Sequence, residues 1–157
     1  MLNAAVFSDT HGNSAPMLRA LKGLRPDVLI HLGDHDRDAL LLREAYPDIP
    51  LYSVCGNCDI APLAPETLTV QLGPVTAFLT HGHLYNVSPW QADSLVYAAQ
   101  EAGASLALFG HTHRAANDQL GGVTLVNPGT AGKGRELIYA WLTIYDNGAI
   151  SCQIREL

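Results

Sequence analysis

A chain of 157 residues, 48% hydrophobic and 15% charged, is long enough to bury a core, and residues 1–157 are expected to form a single domain. Its formal net charge of −6 and pI near 5.5 exclude a broad basic surface for extended nucleic acid or an anionic membrane, while small anions remain open as ligands. Three cysteines, Cys55, Cys58 and Cys152, suggest no disulfide framework, and no leader is expected before "NAAVFSD", so that reduced thiols and a cytoplasmic location are expected as well.

The first apolar run, "AAVFS", predicts a strand, followed by a helix capped by Asn13 or Ser14 with Pro16 in its first turn. Met17, Leu18, Leu21 and Leu24 form that helix's apolar stripe. A strand at "VLIHL" leads to a second helix from Asp38, with Leu41, Leu42 and Ala45 on its buried face. Strands are then expected at "LYSVC", "LTVQL" and "VTAFLT". A third helix would open with Ser88 and Pro89, bury Leu95, Val96 and Ala99, and stop at Gly103. The last third predicts strands at "SLALF", "VTLVN", "LIYAWLTIY" and "AISCQI", with a hairpin at "YDNGAIS". A βαβα opening followed by hairpins implies an α/β fold: two mixed β-sheets packed as a sandwich and flanked by α-helices.

Polar residues fall just beyond these strands: "SDTHG", "LGDHD", "GNCD", "THGH" and "GHTH". Six of the seven histidines lie within these stretches, each of which also carries a glycine. In open α/β sheets, loops beyond the carboxyl ends of strands converge on one crevice, so the five can meet. Carboxylate, amide and imidazole donors together suit Mn²⁺, Fe²⁺, Zn²⁺ or Ni²⁺. Asp9 and His11 can face one ion, while His111 and His113 can reach two neighbouring ions from opposite sides of one turn. Asp34 is the natural bridge, since a carboxylate has two oxygens, and Asn57 and His81 complete the second ion. Two ions about 3.5–4 Å apart can hold a bridging hydroxide and stabilise a phosphoryl group during in-line displacement. Phosphoester hydrolysis is therefore the expected reaction.

The ordered series Asp-x-His, Gly-Asp, Gly-Asn-x-Asp, His-Gly and Gly-His-x-His resembles the calcineurin-like metallophosphoesterase superfamily, and its small prokaryotic phosphodiesterase-like branch in particular. The match runs from Asp9 to His113 and extends into "NPGTAGKG". The resemblance implies one ion on Asp9, His11, Asp34 and His113 and another on Asp34, Asn57, His81 and His111. It also implies a small phosphodiester as substrate, with Asp34 and Asn57 in the catalytic machinery. Manganese is the preferred expectation for both ions, with nickel, iron, zinc and magnesium as alternatives.

Where many superfamily members have a histidine after the Gly-Asn asparagine, this chain has Cys58. A thiol is a poor acid for an alkoxide leaving group, which favours diesters or activated leaving groups and makes His83 the candidate proton donor. Arg37 replaces a further acidic position, flanked by Asp36 and Asp38, and Asp59 is expected to orient a ligand histidine. His31, inside a strand, is expected to be a hydrogen-bonded core residue, and His35 is balanced between surface and site.

"CGNC" has redox-motif spacing without the helix start that would activate a thiolate, and "GTAGKG" lacks the spacing and the final hydroxyl residue of a Walker loop. Lys133 and Arg135 in that loop either flank a substrate phosphate or occupy a solvated turn. A catalytically weak protein-binding scaffold, like the retromer subunit that resembles these enzymes, is the alternative function. A nuclease would want a basic track, and association of the chain with copies of itself is left open.

Overall fold

The computed structural model describes residues 1–157. Strands β1 (Leu2–Phe7), β2 (Val28–His31) and β3 (Leu51–Ser53) run parallel, separated by helices α1 (Ala15–Ala20) and α2 (Asp38–Ala45). Strand β4 (Thr67–Leu72) forms a hairpin with β5 (Val75–Thr80), and helix α3 (Asp93–Glu101) leads into β6 (Leu106–Leu108). Strands β7 (Ala116–Leu120), β8 (Val123–Asn127), β9 (Ile138–Ile144) and β10 (Ile150–Glu156) complete the chain. The two five-stranded sheets have orders β10-β9-β1-β2-β3 and β4-β5-β6-β8-β7; the first is antiparallel from β10 to β1 and parallel from β1 to β3, and the second is parallel at its centre with an antiparallel pairing at each edge.

Period-two alternation assigns each central strand to two cores at once. Ala4 and Val6 of β1 and Val28 and Ile30 of β2 join Ala77, Leu79, Leu106 and Leu108 of the other sheet in the layer between the sheets. The alternate residues Ala5, Phe7 and Leu29 pack outward against Met17 of α1, Leu21 at its C-terminal end and Leu42 of α2. On the far side Phe78, Ala107 and Leu125 pack against Leu95, Val96 and Ala99 of α3. The layers are therefore helix, sheet, sheet, helix, as the sequence pattern implies. No helix is long and apolar enough to cross a membrane.

Four local expectations need correction. Strand β7, "ANDQL", has no apolar alternation and four of its five residues are exposed. It is an edge strand held by its ladder to β8, with Gly121 and Gly122 at positive φ in the hairpin turn. The third helix begins at Asp93 rather than Ser88, because Ser88 and Gln91 exchange backbone hydrogen bonds of 2.9 and 3.3 Å around a tight turn. Proline after serine suits such a turn as well as it suits a helix start. Helix α2 buries Asp38, Ala39 and Leu42, whereas Leu41 and Ala45 face solvent. Helix α1 ends at Ala20, so Leu24 falls beyond it, and Ser14 at its N-cap makes no side-chain cap bond. The β9–β10 hairpin forms as expected, with Tyr145 N donating to Ala149 O at 2.9 Å.

Leu79 is fully buried between the sheets. Leu79→Ala should destabilise the fold by about 3 kcal/mol, read as a lowered urea midpoint with unchanged slope.

Candidate metal centre

Strands β1, β2, β3, β5 and β6 deliver the candidate site residues from the loops at their carboxyl ends, and backbone bonds tie those loops together. Asp9 N donates to Gly33 O at 3.0 Å, His11 N to Asp34 O at 3.2 Å, and Gly110 N to His81 O at 2.8 Å. The turns are tight: Asp9, His11, Asp34, His111 and His113 all have positive φ, between 48° and 69°. Side chains other than glycine seldom adopt that region, and a cluster of such residues marks strain held in place by its surroundings. Gly110 lets two loops meet, since a Cβ there would run into Ser8 Oγ and, at 2.7 Å, Asp9 Oδ2.

Each key side chain spends one polar atom on the scaffold and leaves the other facing inward. Asp9 Oδ2 accepts from Ser8 Oγ at 2.6 Å and His111 N at 3.2 Å, while its Oδ1 is buried without a donor. Asp34 Oδ1 accepts from Cys58 N at 2.9 Å. His81 Nδ1 donates to Leu32 O at 2.7 Å, which turns a buried, unpartnered Nε2 toward Asp34 Oδ2 at 3.3 Å and Asp9 Oδ1 at 3.8 Å. A backbone carbonyl on one imidazole nitrogen is the usual way of aiming the other at a metal.

Around these atoms the remaining donors close in. His113 Nε2 lies 3.1 Å from Asp9 Oδ1 and 3.4 Å from His11 Nε2, which is 3.7 Å from Asp9 Oδ1 and 3.6 Å from Asp34 Oδ2. One ligand atom from each of Asp9, His11, Asp34 and His113 falls within 4.8 Å of all the others. Next to them His111 Nδ1 is 3.1 Å from Asn57 Oδ1, and the His111 ring centroid is 5.2 Å from that of His81. The two groups meet at Asp34 Oδ2. Buried polar atoms are nearly always partnered, so the orphaned Asp9 Oδ1 and His81 Nε2 are an observation that a cation would answer. Donors sharing one small divalent ion at about 2.1 Å sit roughly 3.0–3.4 Å apart, so only a small inward adjustment is needed.

Electrostatics act in the same direction. Burial works to raise the Asp34 pKa, but the adjacent His81 imidazole and the hydrogen bond from the Cys58 amide override it and hold the carboxyl well below its usual range. Burial likewise opposes charge on His81, yet the nearby Asp34 and Asp9 carboxylates prevail and raise its pKa. Burial lowers the pKa of His11 and His111, which favours the neutral form that a metal would need.

Asp59 does not orient a histidine. Its carboxylate accepts from the amides of Asp34 (3.1 Å), His35 (2.7 Å), Asp36 (2.9 Å) and Gly56 (2.6 Å), stapling the loop after β2 to the loop after β3. Asp36 anchors Leu63 N and Ala64 N, and Asp38 accepts from Gly12 N while pairing with His35 Nδ1 at 2.9 Å. His35 is thus a supporting residue. Sequence reasoning missed Asn127, whose amide bonds Gly110 O at 2.9 Å and Thr112 Oγ1 at 3.0 Å and so braces the His111–His113 turn. Thr130 Oγ1, also missed, donates to Asp9 O at 3.0 Å. A polar residue closing the apolar run "VTLVN" was the available signal.

His83 stands beside the second group, its ring 5.5 Å from His81 and 6.3 Å from His111, with Nδ1 buried and unpartnered. Burial and the neighbouring His81 lower its pKa. Burial and the charges of Asp59 and Asp34 raise the thiols of Cys55 and Cys58 respectively, the opposite of redox activation. Lys133 is exposed but near enough for its charge to weigh on His11 and Cys58.

Oxygen and imidazole donors gather where strands of two stacked sheets end, the arrangement of a metallophosphoesterase-type fold with a cluster that could hold a metal ion. The sequence profile of the calcineurin-like phosphoesterase superfamily domain matches residues 2–147, and the chain belongs to that family. A probable metallophosphoesterase of Bacillus subtilis is 32% identical over 132 residues, 82% of this chain and 75% of that protein. Among solved structures, a conserved Streptococcus pneumoniae protein described as a predicted phosphoesterase superposes with TM-score 0.77 at 26% identity, covering 99% and 98% of the two chains. The zinc complex of Vps29 from Entamoeba histolytica shares the fold at TM-score 0.77 and 20% identity, covering 99% of both.

His31, fully buried between Thr10 Oγ1 (2.9 Å) and Gly33 N (3.3 Å), has its pKa lowered to about 4 by burial, against the pull of Asp38 and Asp9. The unfolded chain binds this proton near pH 6.5 and the folded chain only near 4, so stability is full above the first value and falls as pH drops toward the second. The contribution is on the order of 3 kcal/mol. Denaturant titrations of chelator-treated protein should show a shallower loss between pH 7 and pH 4 for His31→Gln than for wild type.

Proposed function

We propose that the protein is a dinuclear metal-dependent phosphoesterase that acts on small phosphodiesters. The carrying observation is the position of Asp34: Oδ1 is tethered by the Cys58 amide, and Oδ2 stands between His11 Nε2 at 3.6 Å and His81 Nε2 at 3.3 Å. In this reading Asp9, His11, Asp34 and His113 hold one divalent ion, and Asp34, Asn57, His81 and His111 hold the second. When bound, such a pair activates water as a nucleophile and draws charge from the phosphoryl oxygens. N and O donors without thiolate favour Mn²⁺, with Fe²⁺, Zn²⁺, Ni²⁺ and Mg²⁺ as competitors.

The protein's own residues set the geometry and the scope. Ser8 and the His111 amide fix Asp9, the Leu32 carbonyl fixes His81, and Asp59 fixes the backbone around Asp34. Cys58, with its thiol pKa raised by burial and Asp34, cannot readily protonate a basic leaving group, which favours diesters over alkyl monoesters. His83 is the nearest side chain left to hold or pass a proton at the leaving oxygen. Two divalent ions outweigh the two ligand carboxylates, so an acidic chain still attracts a small anion. The same overall charge disfavours extended nucleic acid as substrate.

Asp34→Asn should lower turnover of bis(p-nitrophenyl) phosphate by at least about a hundredfold and reduce bound metal, beyond what loss of a supporting partner costs. Ordinary turnover by that variant with metal bound would remove the bridging role. A second measurement compares mono- and diester hydrolysis by chelator-treated protein after addition of Mn²⁺, Mg²⁺, Ni²⁺ or Zn²⁺. Metal-dependent activity, higher on the diester, is expected. Silence with every ion would favour the protein-binding scaffold, the reading that the shared fold with Vps29 keeps in view.

A further inference from the structure

A cavity of about 650 Å³ lies outside the metal cluster, and the His111–His113 loop forms one of its walls through Thr112 and Arg114. That volume is in the range that small-molecule sites occupy. Another part of the cavity's lining is the Ser88–Gln91 turn, which holds Trp90 at its tip. Trp90 is 85% exposed, although a large indole on a surface loop gains nothing from solvent. It is not on a loose segment: Ser88 and Gln91 bond to each other in both directions, and Trp90 N donates to Ser88 Oγ at 3.3 Å. The Arg114 guanidinium stands 5.8 Å from the indole centroid and leaves most of the ring open. The amide side chains of Gln91, Asn117 and Gln119 supply hydrogen-bond donors and acceptors around the rest of the cavity.

A rigidly presented aromatic face, a cation beside it and mixed amide edges make a site for a planar ring that has both a π face and polar edge atoms. We propose that this cavity seats the heteroaromatic base of a nucleotide-type phosphodiester, stacked on Trp90, while its phosphate reaches the metal cluster beyond the Thr112 wall. The proposal rests on the phosphoesterase reading and narrows it to base-bearing substrates. It uses the shared loop directly: Arg114 follows His113 in the chain, so the group that grips the ring is set by the same turn that presents the imidazoles.

The test measures binding to Mn²⁺-loaded protein by calorimetry. Its two probes are the phosphonates of AMP and of ribose 5-phosphate in which a methylene replaces the ester oxygen, so that neither can be hydrolysed. The adenine-bearing probe should bind about tenfold more tightly or better, as base–aromatic stacking supplies. Trp90→Ala should abolish that preference without changing affinity for the ribose probe, and Trp90→Phe should restore most of it. The adenine probe should also quench fluorescence from Trp90, whereas Trp141, packed 4.6 Å from the Arg155 guanidinium, keeps its emission. Equal binding of the two probes by wild type, or a preference that survives Trp90→Ala, would overturn the proposal. So would a wild-type dimer that Trp90→Ala dissolves in gel filtration, since the cavity would then be an interface between copies. Turnover of bis(p-nitrophenyl) phosphate by the same samples is read separately. Turnover without ring preference removes only the base site, and ring preference without turnover removes the esterase reading and keeps the site.

Discussion

Asp9 and Asp34 are both sealed from solvent and point their free oxygens into the same small space, an arrangement that two negative charges would not tolerate unaided. Hydroxyl and amide donors cover the outer oxygen of each carboxylate, and four imidazoles surround the inner ones or their neighbours. Those donors and the neighbouring His81 offset part of the repulsion, and divalent ions would do so more completely. The close approach of the loops, the strained turns and the glycines at their crossings all follow from keeping these two carboxylates together.

The strain is considerable. Five of the seven expected ligand residues lie in the left-handed region of backbone space, each at a cost of about 1–3 kcal/mol where no glycine relieves it. What offsets it is the packing beneath: strands buried on both faces, with one side chain set filling the space between sheets and the alternate set meeting the helices. The loops themselves contain little apolar material. Asp59, Asn127 and Thr130 therefore act as polar fasteners between segments that have no hydrophobic reason to meet.

Much of this was legible from residue order. Central strands announce themselves as unbroken apolar runs because both of their faces are buried, and a polar residue directly after such a run has few places to go except the sheet's open end. Strand β7 was not legible, because an edge strand facing solvent needs only its backbone ladder and "ANDQL" carries no pattern. The start of α3 was ambiguous, since Ser-Pro begins a turn and a helix equally well. The buried face of α2 is not set by its apolar residues alone, because Asp38 is buried for its bonds to Gly12 N and His35 Nδ1 and Leu41 faces outward. The partners of Asp59 lie on two separate loops, and no local pattern specifies a contact between them.

Cys58 supports Asp34 through its main-chain N–H, and its side chain is exposed. Any residue other than proline offers that same N–H. The holding of the carboxylate and the chemistry at the mouth are thus written into different atoms of one residue, and the second can vary over evolutionary time without disturbing the first. A single replacement at this position would change the group exposed beside Asp34 while the main-chain tether on the carboxylate stayed in place.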